Sequence, residues 1–104
     1  MEAPISAKAA LLQALMRGEG YGLDLIERVR ASTDGALVLH QGSVYPALRE
    51  LEREGLLESY EGEPLPERGG RPRRYYRITA DGKRAARQHA EVFRGVAGLN
   101  PEFA

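Results

Sequence analysis

At 104 residues the chain has room for one domain and one modest core. It contains no cysteine, which excludes disulfides, thiolate metal sites and a cysteine nucleophile. No apolar run approaches the roughly 20 residues that span a bilayer and the N-terminus shows no signal-peptide pattern, so a cytoplasmic protein with no membrane partner is expected. The formal net charge is zero, so any surface for a polyanion has to come from how the charges are distributed.

In chain order, the first predicted helix runs from about Ile5 to Arg17 and places Ile5, Ala9, Leu12, Leu15 and Met16 on one stripe. Gly18 and Gly20 stop it. A second helix from about Tyr21 to Ser32 carries Leu25, Ile26 and Val29 at the same spacing and ends at the turn Asp34-Gly35. Leu37-Val38-Leu39 is too short for a helix and reads as a small strand. A third helix starts near Ser43, whose hydroxyl is a natural N-cap with Pro46 in the first turn. Val44, Leu48 and Leu51 form its inward stripe, Tyr45, Arg49 and Arg53 lie outside or at the margin, and Gly55 closes it.

Leu56 to Glu61 then reads as a strand, Gly62 to Pro72 as a loop by its prolines and glycines, and Arg73 to Thr79 as a second, alternating strand. Tyr76 and Ile78 share one face of that strand with Arg74; Arg73, Tyr75 and Arg77 share the other. Thr79 caps a last helix reaching about Ala97, with Ala86, His89, Phe93 and Val96 in line. The fold class implied is mainly α with a small β-hairpin wing: a winged helix-turn-helix over residues 1–79, followed at 80–104 by a C-terminal helix of the same compact unit.

Charge is polarised along this order. Between Glu50 and Glu67 seven glutamates face one base, Arg53, whereas between Arg68 and Arg87 eight bases face only Asp81. Major-groove reading needs a rigid helix with polar side chains near its N-terminus and a buried opposite face. Ser43, Tyr45 and Arg49 meet that need on the third helix, and Gln41 lies just before it. Arg68, Arg71, Arg73 and Arg74, interleaved with glycine and proline, suit a hairpin that follows phosphates or enters a narrow minor groove. The partner expected is therefore double-stranded DNA. Tyr45 has two readings: a ring packed on the core edge, and a hydroxyl offered to a phosphate.

Several segments together resemble the PadR family of bacterial regulators. They are Tyr21-Gly22, Gly42-Ser43-Val44-Tyr45-Pro46-Ala47-Leu48, Leu51-Glu52-Arg53-Glu54-Gly55-Leu56-Leu57, and Gly69-Gly70-Arg71-Pro72-Arg73-Arg74-Tyr75-Tyr76-Arg77-Ile78-Thr79 followed by Gly82. The match covers nearly the whole chain in the right order, and this chain resembles the family's short group. The resemblance implies a repressor that acts as a homodimer on a pseudo-palindromic operator, its last helix packed against the partner subunit. Burial points the same way, because the last helix has an apolar stripe of its own. Ala86, His89, Phe93 and Val96, with Ile5, Ala9 and Leu12 of the first helix, are the expected dimer interface. Short relatives bind flat apolar effectors between their last helices with the help of tryptophan. No Trp is present here, which leaves Phe93 as the candidate wall of an effector pocket. No cofactor, metal site or enzymatic activity is expected, since His40 and His89 stand in no catalytic or ligand spacing. The rival from another class is a winged-helix protein-docking module that does not bind DNA.

Overall fold

The computed structural model describes residues 6–99, with side chains described up to residue 90. Helix α1, Ala7–Leu15, is capped by Ser6, whose hydroxyl accepts from the Ala9 amide at 3.2 Å. Its alanines and leucines favour a helix on propensity alone. Ala9, Ala10, Leu11, Leu12, Ala14 and Leu15 are all buried, so α1 is covered on most of its circumference and forms the central post of the molecule. Helices α2 (Gly22–Ser32) and α3 (Gln41–Arg53) pack on it, as does α4 (Ala80–Leu99). Leu11, Leu12, Leu15, Leu25, Val44, Leu48 and Leu51 are fully buried where these helices meet. Each such side chain contributes about 1.5–3 kcal/mol.

The central placement of α1 corrects part of the expected dimer interface. Leu12 and Ala86 are each 1% exposed and Ala9 is buried as well, all within this one chain. Leu12 and Ala86 belong to the core formed between the helices of this chain, and Ala9 keeps only 6% exposure, so they have little surface to offer a partner. Ile5 lies outside the described residues, as do the side chains of Phe93 and Val96. His89 is half-buried, and its Nδ1 has no hydrogen-bond partner among the described residues.

A three-stranded antiparallel sheet of order β1-β3-β2 completes the fold, from β1 (Gly20–Tyr21), β2 (Leu57–Pro64) and β3 (Pro72–Ile78). The small first strand is therefore not Leu37-Val38-Leu39 but the two residues leading into α2. The Thr33 hydroxyl accepts from the Leu37 amide at 3.1 Å, and the Ala36 amide donates to the Thr33 carbonyl at 2.9 Å. These bonds fold the segment back on the end of α2 and withhold it from any ladder. Leu39 plugs the core from this loop, while Val38 stays exposed.

Helix α3 begins two residues before the expected cap. Ser43 lies inside it, with its amide donating to the His40 carbonyl at 2.9 Å. Pro46 consequently falls in the second turn and leaves the Gly42 carbonyl without its helical donor. Gly42 and Pro46 are both exposed, so water can take the missing donor's place. The Thr79 cap of α4 is present as expected: its hydroxyl accepts from the Gly82 amide at 3.0 Å and donates to the Gly55 carbonyl at 2.8 Å. Gln13 fixes α4 from the other side by donating its amide to the Ala86 carbonyl at 2.6 Å.

One half-buried tie was not visible in the sequence. The Arg28 guanidinium donates to the carbonyls of Ala14, Gly18 and Glu19 at 3.0, 2.8 and 3.1 Å, and pairs with Asp24 at 2.8 Å. It satisfies the frayed end of α1 and holds the turn that delivers the chain to β1. Arg28→Ala is expected to cost about 2 kcal/mol in urea unfolding. Arg28→Lys should recover less than half of that, since an ammonium cannot reach acceptors on three sides at once.

Candidate nucleic-acid interface

Of the side chains proposed to read DNA from α3, Gln41, Ser43 and Arg49 stand exposed on its outer face. Val44, Ala47, Leu48 and Leu51 face inward and lock the helix in place. Tyr45 is half-buried and packs against the core, resting on the first turn of α2. A Cβ at Gly22 would lie 2.6 Å from its ring and hydroxyl, so the glycine there makes room for the tyrosine. The ring of Tyr45 is on the core edge, as one of its two readings has it, and the side chain also lines a cavity.

That cavity, of about 200 Å³, lies between α3, the start of α2 and the hairpin, and is lined by Tyr21, Gly22, Leu23, Tyr45, Arg68, Pro72, Arg73, Arg74 and Tyr76. It brings three of the four wing arginines to the same place as the α3 tyrosine. Burial raises the phenol of Tyr76 above its ordinary value, so it stays protonated at neutral pH. Arg68 has a buried Nε without a hydrogen-bond partner among the described residues. Arg73 lies 4.3 Å over the Tyr21 ring, an arrangement that holds a guanidinium without neutralising it. Arg71 is at the tip, outside the cavity, its Nε donating to the Arg68 carbonyl at 3.0 Å. The tip itself bends through Gly69 and Gly70, with φ of 68° and 83°, a left-handed pair that other residues adopt only under strain. Tyr21, Gly22, Leu23, Pro72 and Tyr76 join the cavity beyond the residues expected from the sequence. Leu23 had a signal: it is a leucine in the first turn of α2, off the Leu25 and Val29 stripe, and it is 48% exposed.

The charge pattern changes on folding. In sequence the acidic and basic blocks are separate, but the hairpin register sets Glu58 opposite Arg77 and Glu61 opposite Arg74. Arg77 Nε meets Glu58 at 3.0 Å and Arg74 meets Glu61 at 3.5 Å, while Arg84 pairs with Asp81. Arg74 also donates to Ser59 Oγ at 3.0 Å, and that hydroxyl donates to Glu52 of α3 at 2.6 Å. Arg74 is thus shared between the cavity and an acidic network. Among the described residues, Arg49 and Arg53 of α3 and Arg68, Arg71 and Arg73 of the hairpin have no ion-pair partner, nor do Arg17, Lys83 and Arg87 elsewhere on the surface. No group of three His, Asp or Glu able to hold a metal occurs among the described residues. None of the described helices is long and apolar enough to cross a membrane.

Three helices around a buried post, with a basic hairpin beside an exposed helix start, define a winged helix-turn-helix. The family model described as the transcriptional regulator PadR-like family matches residues 11–88, and the chain belongs to that family. No curated protein matches the sequence. Among solved structures, the fold is similar to a transcriptional regulator from Clostridium thermocellum, with 29% identity, a TM-score of 0.77, and coverage of 88% of this chain and 86% of that one. A PadR family transcription regulator from hypervirulent Clostridium difficile shares the fold at 24% identity and TM-score 0.76, over 93% of this chain and 96% of that one. The circadian clock associated protein Pex from Anabaena is similar at 26% identity and TM-score 0.66, over 91% and 83%.

Because Glu61 pairs with Arg74, Glu61→Gln is expected to free that guanidinium and tighten binding to duplex DNA by about threefold at low salt, the scale of an exposed ion pair. It should also make the dependence of affinity on salt steeper, read by fluorescence anisotropy.

Proposed function

We propose that this regulator is a homodimeric repressor that lays α3 in the major groove and its hairpin along the flanking backbone or minor groove. Promoter occupancy alone then blocks transcription. The observation that carries the reading is the cavity where Arg68, Arg73 and Arg74 converge with Tyr45 beside the exposed start of α3. A backbone phosphate there would meet guanidinium groups and phenol hydroxyls while α3 is seated in the adjoining groove. Gln41, Ser43 and Arg49 would face base edges, and Arg71 would extend the contact from the tip. The domain division follows: residues 1–79 bind DNA and 80–104 pair the subunits. The interface is drawn through His89, Phe93 and Val96, and each subunit takes one half-site, the two about 10 base pairs apart.

In this reading, Arg71→Ala weakens binding to all sequences and lowers the salt slope by about one unit. Arg49→Ala instead relaxes specificity at one position, at a cost of about 1–3 kcal/mol. A protein-docking module would show the same weak DNA affinity in wild type and wing variants. Footprinting on the region upstream of the protein's own gene should protect two related half-sites; one asymmetric patch contradicts the dimer. A flat apolar effector between the paired last helices, against Phe93, completes the proposal. Thermal-shift screening of planar aromatic compounds tests it, and the absence of any that stabilise the dimer contradicts it.

A further inference from the structure

The outer face of the sheet carries a row of five side chains. Tyr21 and Tyr60 stand in register with Tyr75 from the two neighbouring strands. The rings of Tyr60 and Tyr75 stack with centroids 5.5 Å apart at 17°, and Tyr21 meets Tyr75 edge-on at 5.6 Å and 84°. Arg73 covers Tyr21 at one end, and Arg77 lies 5.1 Å over Tyr60 at the other. The Tyr60 hydroxyl donates to Glu19 Oε1 at 2.5 Å, tying the row to the turn before β1.

The row stands at a structural boundary. Strand β1 pairs with β3 only at Tyr76 and Tyr75. From Arg74 to Pro72 the sheet is reduced to two strands, which twist and bend far more readily than three. Tyr75 is therefore the last residue held on both sides before the hairpin runs out to its arginines. Gly62 belongs to the same device: a Cβ there would lie 2.5 Å from the Tyr75 ring, so its missing side chain is what seats the ring.

The geometry points to Tyr75 as the positioning residue of the wing: clamped between Tyr60 and Tyr21, its ring sets the angle at which the two-stranded arm leaves the body and keeps Arg73 over Tyr21 at the wall of the cavity facing α3. The inference rests on the DNA-binding reading of that cavity only for its consequence, not for its mechanics. Tyr75→Phe retains the ring. Tyr75→Val retains strand preference and removes the ring. Gly62→Ala retains the tyrosine and displaces it, which covers the case of a Tyr75→Val protein that does not fold.

Two measurements separate this inference from the reading it rests on. In anisotropy titrations of a labelled duplex at several salt concentrations, Tyr75→Phe should match wild type. Tyr75→Val and Gly62→Ala should bind about tenfold more weakly with a salt slope reduced by about one, the signature of one lost phosphate contact. Neither should weaken binding further in an Arg73→Ala background. Wild-type affinity in Tyr75→Val, or a loss that adds in full to that of Arg73→Ala, overturns the assignment. Because the chain has no cysteine, spin labels at Glu67→Cys on the tip and Glu27→Cys on α2 report the arm's angle without DNA. The distance distribution should be narrow in wild type and Tyr75→Phe, and broad in Tyr75→Val and Gly62→Ala. An unchanged width overturns the positioning role whatever the DNA result. A broadened distribution in a protein whose wild type binds no duplex supports the positioning role and removes only the DNA reading.

Discussion

The structure depends on β3 pairing along both edges. On one side it binds the two residues that lead into α2, and on the other it binds the strand that follows α3. This double pairing joins the N-terminal turn, α2, α3 and the hairpin into one body. Its alternation serves both faces: Tyr76 enters the core at 5% exposure, while Tyr75 and its arginine neighbours remain outside. The base of the hairpin packs on the helices through Leu57 and Tyr76, and β1 adds a second edge that stiffens β3 where the wing leaves the body. Arg28 supports the arrangement from below, since the turn it grips is the one that supplies β1.

Electrostatics follow from the same pairing. A neutral chain gains a directed basic surface because the hairpin register consumes some arginines and spares others. Glu58 and Glu61 take up Arg77 and Arg74, so within the hairpin the free positive charge lies near the tip. Exposed pairs of this kind contribute little to stability. Their larger effect is to restrict where a polyanion is attracted and to make that attraction depend on salt.

The parts of the fold that follow from side-chain periodicity were legible in the sequence, and those that follow from backbone pairing were not. Val44, Leu48 and Leu51 announced the buried face of α3, the proline- and glycine-rich run announced the hairpin, and Thr79 announced the start of α4. Strand β1 gave no such signal, because two residues including a glycine have no alternation and are a strand only by virtue of their partner. Leu37-Val38-Leu39 had the composition of a strand, but the Thr33 hydroxyl held its backbone elsewhere. In α1 the spacing shows a single apolar stripe, whereas most of the circumference is buried and Leu12 is taken up by this chain's own core. In the candidate site, the exposure of Ser43 and Arg49 follows from helical spacing, whereas Gln41 reads as lying just before the helix. The engagement of Arg74 by Glu61 needed the strand register, and the convergence of Tyr45 with the wing needed the missing side chain of Gly22.

The central claim is that α3 and the hairpin form one continuous DNA surface. Chemical-shift mapping of the isotopically labelled protein, titrated with a duplex from upstream of its own gene, tests it most directly. The account predicts that the largest amide shifts fall together on Gln41 to Arg49 and on Arg68 to Arg74, with the buried residues of α1 unmoved. Shifts confined to α4, or to the hairpin without α3, would contradict it.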